Sequence, residues 1–223
     1  MDIIDAFFNF DILSQSWPLL LKGIATSLML SVLGIPLGFA AGMILALLST
    51  CGHRGARFFC NVWVDLFRSL PPLVLLILLF AGLPFIGIEL SAVSALIVVF
   101  FLNSGSYYGE ILRAGIESIP LGQIEAARST GLSQQKTMAY VVLPQAVRNV
   151  LPDLISNTLE VVKLTSIASV VAIPELLFQA RQVQNFTYNA TPLMAAAVLY
   201  FVLLWPFVRM LSRFEHRAIA GRY

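Results

Sequence analysis

Charge is what this sequence has least of. Asp, Glu, Lys and Arg make up 12% of its 223 residues, against about 25% in a soluble domain. By contrast 58% are hydrophobic, and the mean hydropathy is +0.85. Such a chain cannot cover a water-facing surface, so its surplus apolar side chains must face lipid. A net charge of +2 excludes the basic footprint of a nucleic-acid binder. Cysteine is as scarce. Cys51 and Cys60 form no CxxC or Cys/His spacing, which excludes a metal-site reading, and they lie near a candidate cytoplasmic loop where thiols stay reduced. The two histidines, His53 and His216, fall at membrane-edge loops and read as solvated. The sequence has no Ser/His/Asp or Cys/His set and no G-x-x-x-x-G-K-[ST] run to cradle ATP phosphates. Nothing in it reads as an enzyme or as the holder of its own cofactor. Internal repeats are missing too, which argues against a secondary transporter built from inverted halves. The first roughly 20 residues, the length of a signal peptide, hold three Asp and no Lys or Arg before Lys22. The first apolar stretch therefore reads as a retained span.

What the sequence has is long apolar runs. A helix crossing a bilayer core needs about 20 apolar residues. Five stretches qualify, at about residues 23–48, 58–80, 91–112, 151–172 and 192–211. The predicted fold is all-α: a single polytopic membrane domain over residues 1–223 with about five transmembrane helices. Two breaks interrupt the apolar pattern. Residues 113–148 form the longest hydrophilic segment. Residues 173–191, with Pro174, Glu175, Gln179, Arg181, Gln182 and Gln184, read as a short amphipathic helix followed by a loop.

Lys and Arg collect on the cytoplasmic side of membrane proteins. Arg54, Arg57, Arg113, Arg128, Lys136, Arg148, Arg209, Arg213, Arg217 and Arg222 fall on one side of a five-span arrangement, Lys22 and Arg181 on the other. This bias places the N-terminus outside and the C-terminus in the cytoplasm. Gly34, Gly38 and Gly42 recur every four residues in the first span, as a ladder that admits another helix or as ordinary glycine use. Pro36 among them predicts a kink or support from neighbouring groups.

Within the polar segment two short helices fit. One starts after Pro120, holds residues 123–129 and ends at Gly131, as at a C-cap glycine. Ser133 is placed to N-cap the next, which runs through Lys136 to about Val142, and Pro144 and Pro152 mark the return to the membrane. The result is a hairpin outside the bilayer with Glu125, Arg128, Gln134 and Lys136 on its surface. It serves as a docking element or as a structured connector.

Glu125-Ala126-Ala127, followed at fixed spacing by Gly131, Val141, Leu143 and Pro144, resembles the EAA loop of bacterial ABC importer permeases. The family pattern also allows Ile at the place of Val141. Phe67-Arg68-Ser69-Leu70-Pro71-Pro72-Leu73 is similar to the FRGTPLL segment of polar amino acid permeases, with Ser69-Leu70 in place of Gly-Thr. Arg113-Ala114-Gly115-Ile116-Glu117-Ser118-Ile119, Gly122-Gln123, Leu143-Pro144-Gln145-Ala146 and Lys163-Leu164-Thr165-Ser166 resemble the same subgroup.

The resemblance, which covers nearly the whole chain, implies a type I ABC importer transmembrane domain with a cytoplasmic coupling hairpin. The chain would then be half of a translocation pathway in the bacterial inner membrane. The partners implied are a second permease subunit, identical or homologous, around a two-fold axis, and ATP-binding cassette ATPase subunits that hold ATP and Mg. A periplasmic amino acid-binding protein would deliver the solute, a polar or charged amino acid. The hairpin would sit in a cleft of the ATPase. Its coupling residues would be Glu125, Ala126, Ala127, Arg128 and Gly131, with Gly131 making the turn and Glu125 and Arg128 the polar contacts.

Ionisable groups inside spans are costly, about 2.5–3.5 kcal/mol at the bilayer centre. The fourth span holds Asn157, Glu160, Lys163, Thr165 and Ser166. Glu160 and Lys163, three residues apart on one helix face, either neutralise each other or meet the ammonium and carboxylate of an amino acid. On the third span Asn103 and Tyr107 face one way and form a polar patch with Ser104 and Ser106, for solute or for helix–helix hydrogen bonds. The candidate substrate-binding residues are Asn103, Tyr107, Glu160, Lys163, Thr165 and Ser166. Arg68 reads as snorkelling to lipid headgroups, and Glu110 as solvated at the cytoplasmic edge.

Overall fold

The computed structural model describes the backbone of residues 3–220 and the side chains of residues 5–211. Arg222, and the side chains of Arg213, His216 and Arg217, lie outside the described residues. The chain begins with α1 (Ile3–Phe7), α2 (Phe10–Thr50) and α3 (Arg54–Ser69). Next comes α4 (Pro72–Ile77), extended by a π turn (Leu78–Gly82) and a 3-10 turn (Leu83–Ile86). Helix α5 (Ala92–Val99) passes through a π turn (Phe100–Ser104) into α6 (Gly105–Glu117). The polar segment contributes α7 (Leu121–Ser129), α8 (Gln134–Thr137), a π turn (Met138–Val142) and α9 (Leu143–Asn149). Helix α10 (Leu151–Leu164) tightens into a 3-10 turn (Thr165–Val171), and α11 (Leu176–Thr187) and α12 (Thr191–Ala220) complete the chain. Among the described residues there is no strand.

Four helical stretches are long and apolar enough to cross a membrane: Asp5–Thr50, Ala92–Glu117, Leu151–Val171 and Thr191–Leu211. Arg54–Ser69 with Pro72–Ile86 makes a fifth if the broken pair counts as one span. The second expected span is thus interrupted where hydropathy runs on unchanged, because Pro71 and Pro72 both lack the N–H a helix needs. Helix α2 also starts earlier than apolarity suggests. Asn9 Oδ1 accepts the N–H of Ile12 at 3.0 Å and caps it. Its 41 residues rise about 60 Å, twice a bilayer core.

The chain folds as two compact units, one of residues 1–34, 72–99 and 159–223 and the other of residues 35–71 and 100–158. In the first, Leu20, Leu176, Ala180 and Ala196 are buried, with Leu13, Ile24, Leu193 and Leu199 packed around them. Small residues set how closely these helices approach. A Cβ on Gly23 would lie 2.7 Å from the Cα of Leu176. The N-terminal turn is tied in by Asn189 Nδ2, which donates to the Asp5 carbonyl at 2.8 Å. The Asn9 N–H likewise donates to Thr191 Oγ1 at 2.9 Å.

In the second unit, Gly38 and Gly42 admit α6. A Cβ on Gly42 would fall 2.5 Å from Tyr108 Cβ and 2.6 Å from the Gly109 nitrogen, and one on Gly38 would fall 3.0 Å from Ser104 Cβ. Tyr108 fills the remaining space at 1% exposure. Its ring lies edge-on to Phe39 at 5.7 Å, and its hydroxyl shares a hydrogen bond with Thr158 at 2.7 Å. Leu112, Ile116, Val142 and Ala146 are buried below it.

The hairpin begins at Pro120, which occupies the N-cap of α7, and turns at Gly131, whose φ is +87°. Ser133 Oγ accepts the N–H of Lys136 at 3.4 Å, as a cap should. The second arm does not stop at Val142. The Leu143 N–H reaches back five residues to the Met138 carbonyl, and this wider π turn makes room for the Pro144 ring. Pro144 therefore sits in the first turn of α9, and the break comes at Val150. Away from the cores Val32, Phe58 and Val202 are each more than 60% exposed, as lipid-facing residues would be.

Candidate solute site and coupling hairpin

Helix α10 carries Lys163 in its last turn, where the helix dipole favours a cation. Lys163 Nζ pairs with Glu160 Oε1 at 2.5 Å, and both side chains stay about half exposed, at 49% and 63%. The 3-10 turn begins directly after. Thr165 is fully buried and its hydroxyl donates to the Val162 carbonyl at 2.7 Å, while Ser166 Oγ donates to the Lys163 carbonyl at 2.8 Å. Lys163 and Ser166 border a cavity of about 440 Å³ whose other wall comes from α12: Tyr200, Phe201, Leu204, Trp205 and Val208. The volume lies within the range of small-molecule sites. Its chemistry is a cation and a hydroxyl facing an aromatic and aliphatic wall.

Tyr200 links this cavity to a buried carboxylate. Its hydroxyl donates to Glu175 Oε2 at 2.9 Å. Glu175 is 0% exposed and caps α11 by accepting the N–H of Leu177 at 2.9 Å and of Phe178 at 2.7 Å. Ser27 Oγ donates to the same carboxylate at 3.5 Å and accepts the Leu176 N–H at 3.2 Å. One acidic group thus joins α2, α11 and α12. Sequence reasoning missed Glu175, Tyr200 and Trp205. Glu175 stood in a polar break, where a carboxylate is usually solvated. Tyr200 and Trp205 stood in an apolar run, where aromatic residues are unremarkable. The signal available for Glu175 was its place just ahead of the apolar pair Leu176-Leu177, an N-cap position.

Asn103 and Tyr107 belong to the other unit, and their polar atoms are committed to the end of α3. Pro71 and Pro72 cannot donate to the carbonyls four residues back, those of Phe67 and Arg68. Asn103 Nδ2 donates to the first at 2.7 Å, and Tyr107 Oη reaches the second at 3.5 Å. The Arg68 guanidinium lies 5.2 Å from the Tyr107 ring centre and 3.9 Å from Glu110 Oε1. Arg68 is therefore held by protein groups, with 38% of its side chain still exposed. Glu110, with 31% of its side chain exposed, is bound by protein groups as well as by solvent. Arg113 grips it through Nη2 at 2.7 Å and Nε at 2.9 Å, and binds Glu117 through Nη1 at 2.7 Å. Three charges spaced along one face of α6 explain the cluster.

On the hairpin Glu125, Ala126 and Arg128 are exposed, whereas Ala127 is buried at 9%. The motif thus shows two faces, one that packs inward through Ala127 and one that faces solvent. Arg128 Nη1 donates to the Leu132 carbonyl at 3.2 Å across the turn. A Cβ on Gly131 would meet nothing within 4 Å, so its glycine answers to the positive φ alone.

Comparison with known proteins matches this architecture. Residues 34–219 fit the family model described as binding-protein-dependent transport system inner membrane component. The probable amino-acid ABC transporter permease protein YckA of Bacillus subtilis (strain 168) is 36% identical over 87% of each chain. The putative glutamine transport system permease protein GlnP of Rickettsia felis is 34% identical over 87% of this chain and 92% of its own. Among solved structures, an amino acid ABC transporter with histidines superposes with a TM-score of 0.84 at 33% identity, covering 94% of this chain and 98% of that one. The MetNI methionine ABC transporter in inward-facing form shares the fold, with a TM-score of 0.74 at 22% identity over 89% and 95%. The chain belongs to the binding-protein-dependent transport system inner membrane component family, and is a multi-pass permease subunit of an ABC importer.

Proposed function

We propose that this subunit forms half of the pathway of an amino acid importer and that Lys163, Glu160 and Ser166 meet the solute. The observation that carries the reading is Lys163, paired with Glu160, bordering a cavity walled by Tyr200 and Trp205. A carboxylate and an ammonium, exposed and already opposed, match a zwitterion charge for charge. The relatives named for amino acid and glutamine transport favour a polar or charged amino acid of the glutamine type. Thr165 supports the site from below by fixing the 3-10 turn. Asn103 and Tyr107 hold the end of α3 in the other unit, a positioning part rather than a solute contact. Residues 1–223 act as one transmembrane domain with the N-terminus outside.

The same reading assigns the exposed face of the hairpin, with Glu125, Ala126 and Arg128, to a separate ATPase that holds ATP and Mg. Ala127 and Gly131 shape it. A second permease subunit and a periplasmic amino acid-binding protein complete the assembly. Proteoliposomes carrying the permease with its ATPase and receptor should accumulate labelled amino acid only with ATP supplied. If no amino acid is taken up in an ATP-dependent way, the reading fails.

Two variants separate the parts. Lys163→Met removes a charge-assisted contact and should lower uptake about tenfold while the ATPase stays bound. Unchanged uptake would reduce the pair to a structural one. Gly131→Val forces a β-branched residue to positive φ at a cost of roughly 1–2 kcal/mol. It should uncouple hydrolysis from uptake, with membrane insertion intact. Normal uptake in that variant counts against the docking role.

A further inference from the structure

A second groove, of about 350 Å³, lies in the unit that carries the hairpin, between α7–α8 and the ends of α2, α3 and α6. Its floor is apolar: Ile116, Ile119, Ile124, Met138 and Val142. Two guanidiniums border it, those of Arg57 and Arg128, and neither forms an ion pair among the described residues. Arg57 is anchored through Nε, which donates to the Ser49 carbonyl at 3.1 Å, and so its terminal nitrogens are presented in a fixed plane. The carboxylate that also borders the groove, Glu117, is already neutralised by Arg113 at 2.7 Å. The lining also includes Thr137. Thr137 is 2% exposed and its Oγ1 has no hydrogen-bond partner among the described residues. Buried polar groups are almost always paired, so an orphaned hydroxyl on a groove wall points to a bound group that supplies its partner.

Two cations without an ion pair at the mouth, an unpaired hydroxyl in the lining and an apolar floor together fit an amphiphile with an anionic head. We propose that this groove binds an anionic phospholipid of the cytoplasmic leaflet. Its phosphate sits on the anchored Arg57 guanidinium, with the Arg128 charge at the rim adding to the attraction. Its ester oxygens face Thr137, and an acyl chain lies along Ile116, Ile119 and Met138. The lipid would brace the hairpin against the span ends, so that transmission of the ATPase stroke depends on anionic lipid. This inference rests on the cytoplasmic placement of the hairpin proposed above.

The test uses the full importer in nanodiscs of phosphatidylcholine alone or with phosphatidylglycerol. Lipids retained per permease after detergent extraction are counted by native mass spectrometry. The wild type should retain phosphatidylglycerol and not phosphatidylcholine. Arg57→Gln should weaken that retention about tenfold, Thr137→Val should weaken it to a lesser degree, and Arg57→Lys should fall between Gln and wild type. Equal retention of both lipids, or equal retention by wild type and variants, overturns the proposal. So does displacement by glycerol 3-phosphate or inorganic phosphate, which would mark a soluble-anion site. Loss of amino acid uptake with lipid discrimination intact would sink the proposed function and leave this inference standing. The reverse result would sink only this inference.

Discussion

Gly42→Leu is expected to prevent accumulation of folded permease. The new Cβ would fall 2.5 Å from Tyr108 Cβ, 2.8 Å from the Tyr108 carbonyl carbon and 2.6 Å from the Gly109 nitrogen. Two of these three neighbours are backbone atoms, so no rotamer change makes room. The helices must separate, and separation empties the contact in which Tyr108 is buried. Overpacking of this kind costs about 3 kcal/mol or more, a large share of a stability of roughly 5–15 kcal/mol. The control is Gly55→Ala near the start of α3, where a Cβ meets nothing within 4 Å. That change should stay within about 0.5 kcal/mol of wild type. Thermal unfolding of the purified permease, with the amount of protein in membranes, decides between them. If the two variants behave alike, the close approach of α2 and α6 is not what the structure shows it to be.

Glu175→Leu should be nearly as damaging, for the opposite reason. Nothing clashes, but donors lose their acceptor. The N–H groups of Leu177 and Phe178 and the Tyr200 hydroxyl all end on this carboxylate. Each donor left buried without a partner costs about 1–3 kcal/mol, and a lost N-cap about 1 kcal/mol. A total of about 3–5 kcal/mol is expected, since some donors find water after relaxation. Glu175→Gln keeps an acceptor oxygen in place and should lose about 1 kcal/mol. Tyr200→Phe removes one donor and leaves the cap, so a cycle of Glu175→Gln with Tyr200→Phe isolates the link between them. Because Tyr200 also lines the cavity proposed for the solute, Glu175→Gln should alter uptake beyond its effect on stability. Uptake per folded molecule equal to wild type would confine Glu175 to a structural part.

The elements that were legible beforehand are those set by local chemistry. The apolar runs located four spans because crossing a bilayer demands length and hydropathy, and both are properties of a segment by itself. The hairpin was legible because Pro120, Gly131 and Ser133 each act on the residues beside them. The break in the second span was not legible because hydropathy weighs Pro71 and Pro72 as mildly apolar residues, whereas their effect lies in two missing donors. Arg68, Glu110 and Arg113 illustrate the same limit in the polar groups. Each alone belongs at a headgroup or in water, and only the packing of α3 with α6 assembles them into a network. Asn103 and Tyr107 had a correct face and an open use. Their partners, two carbonyls on another helix, carry no mark in the sequence.

Those two carbonyls bear on insulation. A pathway protein must pass its solute without passing protons or ions, and a helix that breaks within apolar surroundings is a weak point for that. Carbonyl oxygens stripped of their N–H partners attract water and cations. A file of water molecules at such a break would be a leak across the barrier. In this permease the oxygens exposed by the Pro71-Pro72 junction are taken up by the Asn103 amide and the Tyr107 hydroxyl. The chain thereby turns from α3 into α4 with both of these carbonyl oxygens hydrogen-bonded by side chains of the packed helix.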